Sequence, residues 1–331
     1  MFTFSKNDSL KVKGFAILSM IFYHLFAFPE RIPESVITPW MGTGITKSFQ
    51  ICVPIFLFIA GYGLQFNAMK KEISISNGYN RLKKLYINYW WSILPFIIIG
   101  FSIHYYSFNL KELILNILGL NSTYNYEWWF YSLYVDLLII FYLIIGKINF
   151  DLKWYTIFMI TLLISVGFIY LLIPFNLSIL WQCHLYRIMK NINIFILGCY
   201  FAKFNIFSHI NRSLTSSYLA ILLIVIPLVI RGYLPSKTTI VIDLLFTPMI
   251  IVGTINLSSG LLSRFLQYMG RHSMNLWLIH SFFIYHYLKS ITFINTNPII
   301  MFLTVIICSL GCSIIINFAK QNFSKIVSII R

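Results

Sequence analysis

Ten apolar runs, each close to the length of a bilayer crossing, divide this chain of 331 residues. They fall at about 14–28, 48–66, 85–106, 128–146, 154–173, 185–202, 216–233, 240–259, 273–288 and 298–318. A helix needs ~20 apolar residues to cross the hydrocarbon layer, because lipid satisfies no backbone polar group. Only 10% of the residues are charged, against about 25% in a soluble domain. The runs are continuous and do not alternate, which excludes an outer-membrane barrel. The expected fold is all-α, a polytopic membrane bundle of about ten transmembrane helices. It is read as a single integral-membrane domain over residues 1–331, with no soluble domain at either end. Lys6, Lys11 and Lys13 precede the first run as in a signal peptide. However, Ala27-Phe28-Pro29-Glu30 offers no small-x-small cleavage site, so the run reads as an uncleaved first helix that extends down through Val12.

The net charge of +16 is spread over short loops, which argues against nucleic-acid binding and for membrane topology. Most lysines and arginines fall in the segments that are inside if the N-terminus is cytoplasmic; Glu30, Glu34, Glu112, Glu127, Asp136 and Asp243 fall outside or within spans. Both termini are therefore expected in the cytoplasm. An Ile-, Asn- and Lys-rich composition suggests an AT-rich bacterial genome. The expected location is the bacterial cytoplasmic membrane. Five cysteines, an odd number, argue against a disulfide framework. Cys183 beside His184 lacks a second ligand pair, so no metal site is expected.

Ionisable residues inside apolar runs are the candidates for function. His24 lies deep in the first run, eleven residues after Lys13. On a helix the two share a face, ~16 Å apart along the axis. Asp136, Asp243 and His280 also fall within spans; Asp136 and Asp243 could instead pair with Arg231 or Arg187. Arg81 and Lys84, at the base of the third helix, share a face and could hold a phosphate-rich ligand, or simply anchor to headgroups. Pro54 and Gly61-Tyr62-Gly63 read either as a break in the second helix or as close packing through small residues. Trp40, Trp90, Trp91, Trp128, Trp129, Trp181 and Tyr233 read mostly as an interfacial belt.

In order along the chain, these segments resemble the membrane acyltransferase-3 family, which O-acylates cell-surface polysaccharides. Lys13-(ten residues)-His24 is similar to its Arg-x10-His signature, and Phe56-Leu57-Phe58-Ile59-Ala60-Gly61-Tyr62 to its Phe-Phe-x-x-Ser-Gly-Tyr segment. Arg81-Leu82-Lys83-Lys84-Leu85-Tyr86 looks like its Arg-x-x-Arg segment, and Trp129-Phe130-Tyr131-Ser132-Leu133 like its Trp-Phe-Leu segment. Phe195 to Lys203 resembles Phe-x-x-Gly-x-x-x-Ala-Arg, and Met269 to His280 the late Gly-x-x-Ser-x-x-x-Tyr-Leu-x-His helix. The family's arginine is lysine at Lys13 and Lys84, which keeps the charge but loses the bidentate fork. Ala60 replaces the usual serine.

The resemblance implies acetyl-CoA, or another acyl-CoA, as a donor substrate on the cytoplasmic side, with no permanently bound cofactor. It implies as acceptor a sugar hydroxyl on a lipid-linked or nascent polysaccharide, such as a capsule or O-antigen. His24 would be general base or covalent nucleophile. Lys13, Arg81 and Lys84 would hold the donor's phosphates; Trp129, Asp136, Arg187 and His280 would orient His24 or meet substrate. The competing class is a transporter or flippase of lipid-linked sugars, using His24, Asp136, Asp243 and His280 as a proton or substrate path. A polysaccharide polymerase or inactive assembly subunit is a third. The topology makes a direct prediction: reporter fusions in the 203–214 loop should report the cytoplasm, and an external signal there would overturn the charge-based orientation.

Overall fold

The computed structural model describes residues 4–71, 73–147, 153–171, 183–209, 216–235, 238–257 and 260–330. Trp181, Arg212, Lys237, Arg331 and the ends of the fifth and eighth expected spans (172–173 and 258–259) lie outside the described residues. Helix α1 (Lys6–Phe26) starts on a capping box: the Ser5 hydroxyl accepts from the Asp8 amide at 3.1 Å, and the Asp8 carboxylate accepts from the Ser5 amide at 3.0 Å. The helix thus begins two turns before Lys13, which lies within the span rather than at its foot.

The chain continues through α2 (Cys52–Ala68), α3 (Ile75–Ser102), α4 (Leu110–Ile117), α5 (Trp129–Leu143) and α6 (Lys153–Leu171). It then forms α7 (His184–Lys203), α8 (Ser217–Tyr233), α9 (Thr239–Asn256), α10 (Leu261–Ile279) and α11 (Pro298–Ile330). Short helical turns, among them Gly44–Ser48, Tyr126–Trp128 and His280–Phe283, join them; no strand occurs among the described residues. Among the described residues, six segments are long and apolar enough to cross a membrane: Lys6–Phe26, Gly44–Ala68, Ile75–Ser102, Tyr126–Lys147, Thr239–Asn256 and Pro298–Phe323. The all-helical membrane class is as expected, with six clear spans against the ten expected. Phe158–Phe168 and Ser217–Tyr233 are apolar but shorter. Helices α7 and α10 are long enough, but Arg187, Lys190, Asn191 and Asn193 on α7, and Arg264, Gln267, Arg271 and His272 on α10, interrupt their apolar character. The expected ninth span, 273–288, is also displaced: α10 begins at Leu261 and ends at Ile279, because its polar first three turns read as loop.

Two pairs of small residues set the helix registers. A Cβ on Gly14 of α1 would collide with the Leu266 carbonyl of α10, and one on Gly270 of α10 with the Leu10 carbonyl of α1. Gly61 of α2 and Gly198 of α7 stand in the same reciprocal relation to the Phe195 and Phe58 carbonyls. In lipid, such close approach supplies the dispersion contact that the hydrophobic effect supplies in water. Accordingly α2 is a continuous helix from Cys52 to Ala68 and is not broken at Gly61; Pro54 sits in its first turn, where no helical hydrogen bond is lost. Trp128 is likewise no belt residue. It is 2% exposed, and its indole donates to the Leu278 carbonyl at 2.8 Å.

Lys11 is also buried, and its ammonium donates to the carbonyls of Ile255 (3.0 Å) and Leu257 (2.6 Å) at the C-terminal end of α9. It is a cap, and Lys13 two residues on faces elsewhere. The glycine crossings predict opposite signs for one substitution. Gly270→Ala should lower stability by about 1–3 kcal/mol, because the methyl meets backbone. Gly63→Ala, where a Cβ meets nothing within 4 Å, should raise it by about 0.5–1 kcal/mol through helix propensity. Thermal melts of the two purified variants check this.

Candidate active site

His24 and His280 stand ten residues beyond Gly14 and Gly270, about 15 Å up each helix from the crossing. Helices α1 and α10 run parallel, so the crossing delivers both rings to one level. His24 Nδ1 lies 2.6 Å from His280 Nε2, with the rings nearly parallel. On the other side His24 Nε2 lies 3.1 Å from a Glu127 carboxylate oxygen. Glu127 comes from the 3-10 turn that leads into α5, fixed by the Asn125 side chain accepting from the Glu127 amide at 3.1 Å. The Tyr285 hydroxyl donates to the His24 carbonyl. His24 and Glu127 are 7% and 6% exposed and His280 is fully enclosed.

The hydrogen bonds assign the tautomers. His280 Nδ1 faces the carbonyls of Trp277 (2.8 Å) and Leu276 (3.1 Å), which only accept, so it carries the hydrogen. A neutral His280 then offers its Nε2 lone pair to His24, and His24 Nδ1 must donate. This leaves His24 Nε2 facing the Glu127 carboxyl, with one proton shared between them. Nε2 is therefore the nitrogen that can take up or release a proton. His280 acts as the orienting partner, in the way a second group fixes a catalytic imidazole in other enzymes.

The ring is on a cavity wall and is not sealed among apolar side chains. A cavity of about 270 Å³ is lined by His24, Glu127, Tyr23, Arg31, Trp129 and Trp277, among others. Phe56, Phe130 and Trp277 separate it from a second cavity of about 160 Å³, which Lys13, Leu85 and Tyr134 also line. One helical turn further along α2 and α3 lies a third, of about 660 Å³, lined by Lys71, Arg81, Lys84, Asn67 and Asn80. The three stack along one axis. Lys13 and Arg81 are close enough for their charges to interact. At the opposite end, Arg31 stacks on Phe28 (4.3 Å to the ring centre) and reaches Glu127 at 3.4 Å. It borders a further cavity with Tyr285 and His286.

Of the residues singled out from the sequence, His24 and Trp129 line the first cavity, and His280 stands behind His24, enclosed and away from the cavity wall. Lys13 lies below them, and Arg81 and exposed Lys84 share the third cavity. Asp136 does not reach His24, and its close partner is His184 at 2.7 Å, not Arg187. Arg187 donates to the Trp129 carbonyl and the Ser132 hydroxyl, both at 3.1 Å, so it braces the first turn of α5 without lining the cavity. Asp243 pairs with Arg231 at 2.8 and 3.1 Å, as the simpler reading held. Sequence reasoning missed Glu127, which stood there only as an outer acid ahead of two tryptophans. Its position just before a span was the available signal. Arg31, Tyr285 and Lys71 lie in loops or turns and carried none.

A family model described as an acyltransferase domain matches residues 11–318, from Lys11 to Phe318. No curated protein and no solved structure matches the chain. The matched region contains α1 from Lys11 onward, all of α10, both crossing glycines, and every residue of the His24 site. The chain belongs to the acyltransferase-3 family and is a membrane acyltransferase.

Proposed function

We propose that this protein moves an acetyl, or other short acyl, group from cytoplasmic acyl-CoA to a hydroxyl of a cell-surface polysaccharide or lipid-linked glycan. The observation that carries the reading is the His24 ring. Its one available nitrogen faces a carboxylate on a cavity wall, above a cavity rich in cations. The donor's phosphates would sit among Lys71, Arg81 and Lys84, with Lys13 further in. An extended pantetheine arm would bring the thioester past Phe56, Phe130 and Trp277 to His24. The ~16 Å rise from Lys13 to His24 suits such an arm. The acceptor would approach from the Arg31 and Tyr285 side, where aromatic and polar groups mix as carbohydrate surfaces require. On this reading the less apolar helices α7 and α10, and the shorter α6 and α8, complete a ten-span bundle in the bacterial cytoplasmic membrane with both termini inside. The parallel course of α1 and α10 agrees with an odd number of crossings between them, those of α2, α3, α5, α6, α7, α8 and α9.

The chemistry follows from the shared proton. With that proton on Glu127, His24 Nε2 is free to accept the sugar hydroxyl's proton as the oxygen bonds to the acyl carbon. The thioester C–S bond breaks, and the proton passes to the leaving sulfur to give the CoA thiol. In the covalent variant Nε2 itself bonds to the acyl carbon and the departing sulfur takes the Glu127 proton. The sugar oxygen then displaces the imidazole, its proton returning to Glu127. Both routes use the same three residues.

A flippase would need the same buried ionisable groups to act together, but among the described residues Asp136 and Asp243 bond to His184 and Arg231, and neither bonds to His24 or His280. Release of CoA from labelled acyl-CoA in purified full-length protein tests the assignment. His24→Ala and His24→Gln should each lower kcat by about 10³, and Glu127→Gln by about 10², within the range for general acid–base groups. Near wild-type transfer in either His24 variant would remove the ring from the reaction. At the donor end, Lys13→Arg should preserve activity while Lys13→Ala raises the acyl-CoA KM by about tenfold, with little change in kcat. An unchanged KM in Lys13→Ala would count against phosphate binding there.

A further inference from the structure

A small chamber adjoins the His24 cavity, with Gln50, Val53 and Trp129 lining both. Its volume is about 40 Å³, more than the roughly 10–15 Å³ that one water needs, so it can take a small polar group such as a carboxylate. Three helices supply its polar wall: Lys190 and Asn193 from α7, Arg231 from α8 and Asp243 from α9. The Asp243 carboxylate is held by the Arg231 guanidinium at 2.8 and 3.1 Å, and Arg231 is fixed further by the carbonyls of Lys47 and Ser48. With Lys190 the wall carries one net positive charge, in a setting of low dielectric that favours an anion.

Asn193 gives the independent sign of a ligand. It is 1% exposed, and neither its side-chain oxygen nor its nitrogen has a hydrogen-bond partner among the described residues. Leaving a buried amide unbonded costs about 1–3 kcal/mol, and native interiors rarely tolerate it without reason. An amide nitrogen on the wall of a small cationic chamber is a ready donor to an incoming oxygen.

We propose that this chamber is a subsite for a carboxylate carried into the transfer site by one of the two substrates. The inference rests on the acyl-transfer reading above and narrows it. The carboxylate can be the distal end of a dicarboxylic acyl chain on the donor, or the acid group of a uronic-acid type of acceptor sugar. In either case it would lie beside Trp129, within one residue's width of the reacting centre, bonded by Asn193 and drawn by Lys190.

The experiment measures kcat/KM for CoA release by full-length protein in two arms. One compares succinyl-CoA with acetyl-CoA; the other compares methyl glucuronide with methyl glucoside as acceptor. Wild type should favour the carboxylate-bearing member by about tenfold or more in one arm, which names the substrate that carries it. Asn193→Ala and Lys190→Gln should each cut that ratio about fivefold. Asn193→Asp, of the same size as the native residue, should invert it. A ratio near one in both arms, or one left within twofold by all three variants, overturns the subsite while acyl transfer stands. Absence of CoA release by wild type from either donor overturns the acyl-transfer reading, and the subsite with it.

Discussion

The contact on which the rest of the site depends is the crossing of α1 and α10 at Gly14 and Gly270. Neither glycine lines any of the cavities described above. Each removes a side chain so that one backbone can press against the other. Since helical rise is fixed, a register set at the crossing is carried unchanged to the far end of both helices. There it becomes a 2.6 Å contact between two imidazoles. A shift of one residue at the glycines would rotate His24 about 100° away from His280 and from the cavity. Precision at a reactive centre is thus obtained from a contact ~15 Å distant, on rigid elements rather than on loops.

Charge inside this bundle falls into two kinds. Arg231 with Asp243, Arg187 with its carbonyl and hydroxyl partners, and Lys11 on the end of α9 are each bonded to groups from other segments. Such pairs hold helices in place; their energy is largely consumed by desolvation, and breaking one strands its partner. The Glu127–His24–His280 row differs in two respects. It contains a proton whose position the hydrogen bonds do not fix, and it faces a cavity. A shared proton beside open volume can be given to or taken from a substrate, and one enclosed on all sides cannot. The same distinction separates Lys11 from Lys13, two residues apart on one helix.

The stacked cavities give a transfer reaction the geometry it needs. A cationic mouth, an apolar neck formed by Phe56, Phe130 and Trp277, and a polar chamber follow one another along α2, α3 and α5. On the proposed reading the neck would keep water from a thioester whose charged handle sits in the mouth, and acceptor and donor would meet at His24 from opposite ends.

Much of this was legible in the residues. The apolar runs located the helices because lipid punishes any other backbone, and α7, α8 and α9 fall within a residue or a few of the expected bounds. His24, Lys13 and Arg81 stood out because ionisable groups in such runs are rare. The limits of legibility have physical causes. Helix α10 was misplaced because its first turns bury only a narrow face, Leu266, Met269 and Gly270, while Arg264 and Arg271 stay exposed, a pattern that a hydropathy reading does not register. Glu127, on a turn with no periodicity, gained meaning only when the fold brought it to within 3.1 Å of a histidine more than a hundred residues away. Gly61 could be read as a break or as close packing, because a missing side chain looks the same in a hinge and in a tight crossing. Chain chemistry settled the class of structure and singled out the His24 imidazole, since solvent and composition act locally. Which partners that group would have was a matter of packing, because distances between helices arise from contacts that no single segment contains.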